Sequence, residues 1–283
     1  MKFLIFGCNG MAGHIISLYL KERGHDVFGF DRRESAFIPS IAGDAMDSKA
    51  MRRLIGRNQY DSVINCIGLL NQFAENNKAD AAYLNGYFPH FLADITSGTD
   101  TQVIHMSTDC VFSGKRGQYT EDDLRDGTTF YDRSKALGEL EDGKNITLRN
   151  SIVGPDINPK GIGLLNWFMQ QSKVDGYTKA IWTGQTTLQL AKTMEAAAQQ
   201  KAHGLYNAVP DRAISKCELL KLFNRYIRNE EVEITPVDKC VADKSLKRTR
   251  FDFGYLIPDY EQMVSELSEW MRTHKNYYPH YKL

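Results

Sequence analysis

A tyrosine and a lysine four residues apart, in Tyr131-Asp132-Arg133-Ser134-Lys135, are the residues of this sequence best suited to moving a proton. On a helix that spacing puts both side chains on one face. A phenol titrates near ~10 and is a poor acid at neutral pH, but a neighbouring ammonium stabilises the phenolate and brings proton transfer within range. Ser107-Thr108-Asp109 offers hydroxyls that can hydrogen-bond a substrate oxygen and share its proton with the tyrosine. Near the N-terminus, Gly7-Cys8-Asn9-Gly10-Met11-Ala12-Gly13 is a GxxGxxG run. Its glycines permit a tight turn and close approach of backbone to a pyrophosphate, with the N–H groups of a following helix as donors. Asp31 can accept from adenosine ribose hydroxyls, which suits NAD, while the adjacent Arg32 and Arg33 suit the 2′-phosphate of NADP. Each motif also has an ordinary reading, as a glycine turn, a strand-end turn, a solvated charged turn or a surface Tyr beside a Lys. Position decides between the two.

The first half of the chain alternates strand-like and helix-like segments. Lys2–Phe6, Asp26–Phe30, Asp61–Cys66, Gln102–Ser107 and Asn145–Arg149 read as five strands. Between them lie helical patterns: Met11–Arg23, a helix capped by Asp47 and running to about Asn58, a stretch to about Ser97 bent near Pro89, and Tyr131–Glu141. That order predicts right-handed βαβ units and a parallel, doubly wound, Rossmann-like α/β sheet. In such a sheet the ligand lies outside the carboxyl ends of the strands. Gly7–Gly13, Asp31, Cys66-Ile67-Gly68 and Ser107–Asp109 all fall there. After Arg149 the alternation breaks. Thr187–Gln200 reads as a helix, Gly204–Val209 as a further sheet strand, and Ser215 as the cap of a helix through Arg228 with Leu219, Leu220, Phe223 and Ile227 on its apolar face. The expected division is a dinucleotide-binding domain of residues 1–150 and 184–208, and a smaller α/β substrate lobe of 151–183 and 209–283.

Composition excludes several other classes. The 283 residues are 42% hydrophobic and 25% charged, an ordinary globular balance. Lys+Arg 35 equals Asp+Glu 35, so there is no basic excess of the kind nucleic-acid binders carry. No apolar run approaches the ~18 residues of a membrane span, and the N-terminal apolar stretch is too short for a signal peptide. Five scattered cysteines without CxxC spacing favour a reducing cytoplasm, and no HExxH, Walker or GxSxG motif and no metal-ligand spacing is present.

Taken together these residues resemble the extended short-chain dehydrogenase/reductase superfamily, and within it the sugar-nucleotide 4-keto reductases of the dTDP-4-dehydrorhamnose reductase type. The glycine loop, Ile64–Gly68, Tyr83-Leu84-Asn85-Gly86, the run Ser107–Gly114 (STDCVFSG), Tyr131–Glu139 (YDRSKALGE) and Leu148-Arg149-Asn150-Ser151 carry the resemblance. It implies Thr108, Tyr131 and Lys135 as catalytic residues. It implies Gly7, Asn9, Gly10, Met11, Gly13, Asp31, Arg32, Asp44, Cys66, Ile67, Gly68, Asn85 and Ser107, with Tyr131 and Lys135, as the cofactor cradle. Thr108, Asp109, Arg149 and Trp182 are the expected substrate contacts, Trp182 as a surface on which a base can stack or as packing. Cys110 stands where these reductases often have Tyr, Asp132 where the family usually has Gly, and Gly127–Phe130 replaces a proline-bearing stretch. Sister 4,6-dehydratases carry Glu where this chain has Cys110, which disfavours dehydration. The implied reaction is reduction by NADPH, with NADH tolerated, of a 4-keto-6-deoxyhexose on a nucleoside diphosphate, in a chain that allows a homodimer. Two rivals stand beside it: a nucleotide-sugar 4-epimerase, and a non-catalytic dinucleotide-binding regulatory subunit like the β subunit of methionine adenosyltransferase.

Overall fold

The computed structural model describes all 283 residues. Its centre is a sheet of seven parallel strands. In chain order the first six are β1 (Lys2–Phe6), β2 (Asp26–Asp31), β3 (Ser40–Ala42), β4 (Ser62–Asn65), β5 (Gln102–Ser107) and β6 (Ile146–Arg149); Gly204–Asn207 is the last. Across the sheet they run β3, β2, β1, β4, β5, β6 and then Gly204–Asn207. The winding reverses between β1 and β4, and the crevice at the carboxyl ends of those strands is where an open α/β sheet binds its ligand. The central strands β1, β4, β5 and β6 are buried on both faces, as their near-continuous apolar runs require, while β2 and β3, towards one edge, are partly exposed. No helix is long and apolar enough to cross a membrane.

One face packs against helices Met11–Glu22 and Thr187–Gln200, the other against Ser48–Gly56 and Phe88–Ile95. The larger core is continuous from Phe3 and Ile15 through Leu190 to Leu219, Phe223 and Met263. The C-terminal residues are therefore bonded into the same apolar interior as the sheet. Their own ladders are short: Lys173–Tyr177 with Glu233–Val237, Ala180–Trp182 between Ile214–Ser215 and Ala242–Asp243, and Gly184–Thr186 with Ser151–Val153. The Ser215 helix forms as expected over Lys216–Ile227, with Ser215 and Glu218 completing a capping box and Leu219, Leu220, Phe223 and Ile227 buried.

Several elements differ from the sequence expectation. The helical stretch before Ser97 is interrupted at a π-helical turn over Ala82–Tyr87, not at Pro89. Pro89 sits in the first turn of the next helix, where its missing N–H costs nothing. The helix carrying Tyr131 spans Phe130–Leu137 and stops short of Glu141, because Gly138 ends it and Glu139 turns into the interior. The edge strand β3 was too short to read. The helix Tyr260–Thr273 was missed, although Asp259 caps it and Tyr260, Met263, Val264, Leu267, Trp270 and Met271 form its buried stripe.

Glu139 is the point where these elements meet. Its carboxylate receives Arg149 in a two-pronged pair, Nε to Oε1 at 2.9 Å and Nη2 to Oε2 at 2.7 Å, and both side chains are essentially inaccessible. Ser107 Oγ donates to Oε1 at 2.6 Å, Arg125 adds a further ion pair, and Arg149 also donates to Asn207 Oδ1 at 3.3 Å. The guanidinium carbon lies 4.9 Å from the centre of the Phe112 ring. Burial alone would raise the Glu139 pKa; Arg149, Ser107 and Arg125 hold it below the ordinary carboxylate range. A carboxylate depressed in the folded state stabilises the fold above its unfolded pKa of ~4.3, and that contribution is lost as pH falls through the folded value. Glu139→Gln is therefore expected to lower stability by about 3–5 kcal/mol at neutral pH, the scale of a broken buried ion pair, and to flatten the acid limb of the stability curve. Denaturant titrations across pH measure both, and an unchanged acid limb would contradict the assignment.

Candidate active site

The glycine loop follows β1 and is shaped by contact. Gly7 has φ +77°, in the left-handed region, and lies against the backbone of Cys66. Gly13 is the tighter constraint: a Cβ there would sit 2.0 Å from the Gly7 carbonyl oxygen, whereas one at Gly10 would find 3.4 Å. Helix Met11–Glu22 starts at Gly10 with no side-chain cap and no acidic residue in its first turn. Its leading N–H groups and positive end therefore face the carboxyl edge of the sheet without a carboxylate of their own. Asp31 closes β2 and accepts Asn9 N–H at 2.9 Å and Arg32 N–H at 2.7 Å, while Asn9 Nδ2 donates to the Arg33 carbonyl at 2.9 Å. These bonds fix the acidic residue and the two arginines beside the loop. Arg32 and Arg33 are exposed and in no ion pair. Asp44 is exposed after β3 and caps a turn through Met46 N–H at 2.9 Å. A close-packed glycine turn, an uncapped helix start and a held carboxylate form a cradle that fits a dinucleotide.

At the carboxyl ends of β4 and β5 the proton-handling residues come together. Thr108 Oγ1 accepts Cys110 N–H at 3.1 Å and donates to Asp109 Oδ1 at 3.1 Å; it also faces the Tyr131 phenol. Tyr131 is buried, and burial pushes its pKa up, with Cys110, Asp109 and Asp132 adding to the rise and Thr108 opposing it. Burial likewise pulls Lys135 down to about 8, opposed by Glu139 and Cys66. Its ammonium donates to the Met106 carbonyl at 2.7 Å and lies 3.4 Å from His105 Nε2. The sequence makes Lys135 the group expected to lower the Tyr131 pKa; in the structure burial and the neighbouring Cys110, Asp109 and Asp132 raise it, and the phenol is held in its protonated form. Cys66 backs this corner as a thiol pushed by burial up to about 12, and Ile67 N–H is fixed on Asn65 Oδ1 at 3.1 Å.

The structure shows what four of the expected contact residues are bonded to. Arg149 is not a substrate residue: it is wholly inside, committed to Glu139 and Asn207. Trp182 is 3% exposed, packed on Tyr260 with ring centres 5.6 Å apart, so it presents no face for a base to stack on. Asn85 does not reach for a cofactor. Its amide nitrogen donates to the Leu69 carbonyl and Ser134 Oγ, and its oxygen accepts Leu69 N–H, which pins the Cys66–Leu69 loop to the tyrosine helix. Ser107 spends its hydroxyl on Glu139.

The structure places further residues at the site. Asp132 completes a capping box with Thr129, accepting Thr129 N–H at 3.1 Å while Thr129 Oγ1 accepts Asp132 N–H at 3.1 Å. That pattern, T-x-x-D before a helix, was legible. Glu75 accepts Phe130 N–H at 2.6 Å, a contact with no local sequence signal. Lys216, at the start of its helix, lies over Trp182 with Nζ 5.2 Å from the ring centre and faces Asp109 and Cys110; Lys244 also faces Asp109. Burial raises the Asp109 pKa and the two lysines oppose that rise.

The family model described as the RmlD substrate binding domain matches residues 1–153. The spore coat polysaccharide biosynthesis protein SpsK of Bacillus subtilis is 34% identical over 140 residues, 49% of this chain and 47% of that protein. A dTDP-4-dehydrorhamnose reductase of Mycolicibacterium smegmatis is 30% identical over 141 residues, 49% of this chain and 40% of that protein. The chain spans about half the length of the curated relatives it matches. A solved dTDP-4-dehydrorhamnose reductase from Bacillus anthracis, in complex with NADP, superposes with a TM-score of 0.78 at 18% identity, covering 94% of this chain and 99% of that one, and shares the fold.

Gly13→Ala is expected to abolish dinucleotide binding measured by calorimetry, since the helix must move off the loop to accept the Cβ. Gly10→Ala should weaken it by no more than about tenfold, or ~1.4 kcal/mol. Equal effects would show that the contact with Gly7 is not what shapes the cradle.

Proposed function

We propose that this chain, which belongs to the RmlD substrate binding domain family, reduces the 4-keto group of a 6-deoxyhexose carried on a nucleoside diphosphate, using NADPH and tolerating NADH. The observation that carries the reading is the convergence of Thr108, Tyr131 and Lys135 at the carboxyl edge of the sheet, beside a dinucleotide cradle. The cofactor, when bound, supplies a hydride. Gly7–Gly13 and the start of helix Met11–Glu22 would hold its pyrophosphate, Asp31 and Arg32 its adenosine end, and Cys66–Gly68 would border the nicotinamide.

The chain's own residues handle the proton and the charge. Tyr131, kept protonated by burial, gives its hydroxyl proton to the substrate oxygen as that oxygen becomes an alkoxide. Thr108 donates to the same oxygen and stabilises its developing charge. Lys135, four residues further along the same helix, is the ammonium we assign to easing that proton's departure. Lys216 and Lys244 reach Asp109 from residues 209–283, the part of the chain we read, with 151–183, as the substrate side. Half-buried donors in that position suit an anionic, hydroxyl-rich ligand. All five cysteines are free thiols, in keeping with a cytoplasmic setting.

Incubation with NADPH and a panel of nucleotide 4-keto sugars, read by NADPH absorbance, tests the reading; no turnover with any of them would reject it. Tyr131→Phe is expected to cut turnover by ~10²–10⁴, the scale of a general acid, with dinucleotide affinity nearly unchanged. Wild-type turnover in that variant would remove Tyr131 from the mechanism. Arg32→Ala is expected to weaken NADPH binding more than NADH binding. Equal losses would show that Arg32 does not read the 2′-phosphate.

A further inference from the structure

Behind Lys135 lies a short chain of polar groups that the proposed reaction does not use. His105 is in β5 and fully buried. Its Nδ1 is 3.2 Å from Asn65 Nδ2, and its Nε2 is 3.4 Å from Lys135 Nζ. The Asn65 amide cannot be turned round, because its Oδ1 accepts the backbone N–H of Ile67 at 3.1 Å, and that N–H can only donate. Asn65 Nδ2 is therefore a donor towards Nδ1, and Nδ1 must accept. A neutral imidazole accepting at Nδ1 carries its proton on Nε2. That proton is aimed at Lys135 Nζ, which already donates to the Met106 carbonyl at 2.7 Å. An ammonium offers no lone pair to an N–H donor, whereas an amine does.

We propose that His105 is a positioning residue, locked by Asn65 as the Nε2–H tautomer, whose proton faces Lys135 and favours release of a proton from the lysine. The role rests on reading Tyr131 and Lys135 as the reacting pair. It gives Lys135 a proton it can exchange near neutral pH instead of a permanent charge. Few other groups compete for control. Lys135 and the His90 ring face His105; His90 is tied to the Leu137 carbonyl at 2.7 Å. Glu139 and Cys66 face Lys135, but Glu139 is committed to Arg149 and Arg125, and Cys66 is a half-buried thiol whose pKa is pushed up, away from the thiolate. Burial, Lys135 and His90 all lower the His105 pKa, which keeps the ring neutral.

The test needs no substrate, so its failure is separate from failure of the reductase reading. Long-range proton–nitrogen correlation on the full chain labelled with 15N-histidine reads the tautomer of each ring. The His105 signal is assigned by its loss in His105→Gln, or by elimination through the other six of the seven histidines if that variant does not fold. The expected result is a protonated Nε2 and a bare Nδ1 that do not change from mildly acid to mildly alkaline pH. A protonated Nδ1, or a doubly protonated ring, would overturn the proposal. In His105→Phe, the Lys135 titration followed through its 13Cε shift is expected to move up by about one pH unit, one hydrogen bond's worth of preference for the amine. An unmoved midpoint in a folded variant would also overturn it.

Discussion

The buried pair of Glu139 and Arg149 is the interaction on which the rest of the arrangement depends. Two charges withdrawn from water are costly unless each is fully matched. Here the carboxylate takes the fork of Arg149, the hydroxyl of Ser107 and the Arg125 guanidinium, while Arg149 also meets Asn207 and the Phe112 ring. These groups come from β5, β6, the last strand of the sheet, the segment between β5 and the tyrosine helix, and the segment after that helix. The pair thus ties the strand end bearing Thr108 to the helix bearing Tyr131 and Lys135. A hydrophobic cluster of similar size would fill the volume, but it would not prescribe which groups must meet.

Much of this was legible, and the pattern of failures has a physical cause. The alternation of apolar strands with amphipathic helices reports burial on a sheet, and it locates six of the seven central strands and the glycine turn. Gly13 announces a contact with Gly7 because no other residue fits there. What could not be read was direction. Arg149 and Trp182 stand in segments that lead toward the crevice, and both side chains turn inward. Polarity suggested a ligand contact for Arg149, yet its partner is a carboxylate ten positions earlier, on the far side of a turn. Asn85 and Ser107 are likewise polar side chains near the crevice whose hydrogen bonds are satisfied by protein. Glu75 was invisible because its partner is a backbone N–H far along the chain.

The chemical corner is governed by burial more than by charge. Tyr131, Lys135, His105 and Cys66 are all shifted first by desolvation, each toward its neutral form. Lys216 and Lys244, brought in by the C-terminal part of the chain, add further cationic character beside Asp109.

The helix that carries Tyr131 is only eight residues long. Two turns have little persistence of their own in water, so its axis is set from outside, by the Thr129–Asp132 box at its start and by the carboxylate of Glu75. The angle from which the phenol meets a carbonyl is therefore a property of residues 71–76 as much as of the helix itself. A change in the 71–76 segment would therefore be felt at the phenol as a change of tilt, with the tyrosine itself untouched.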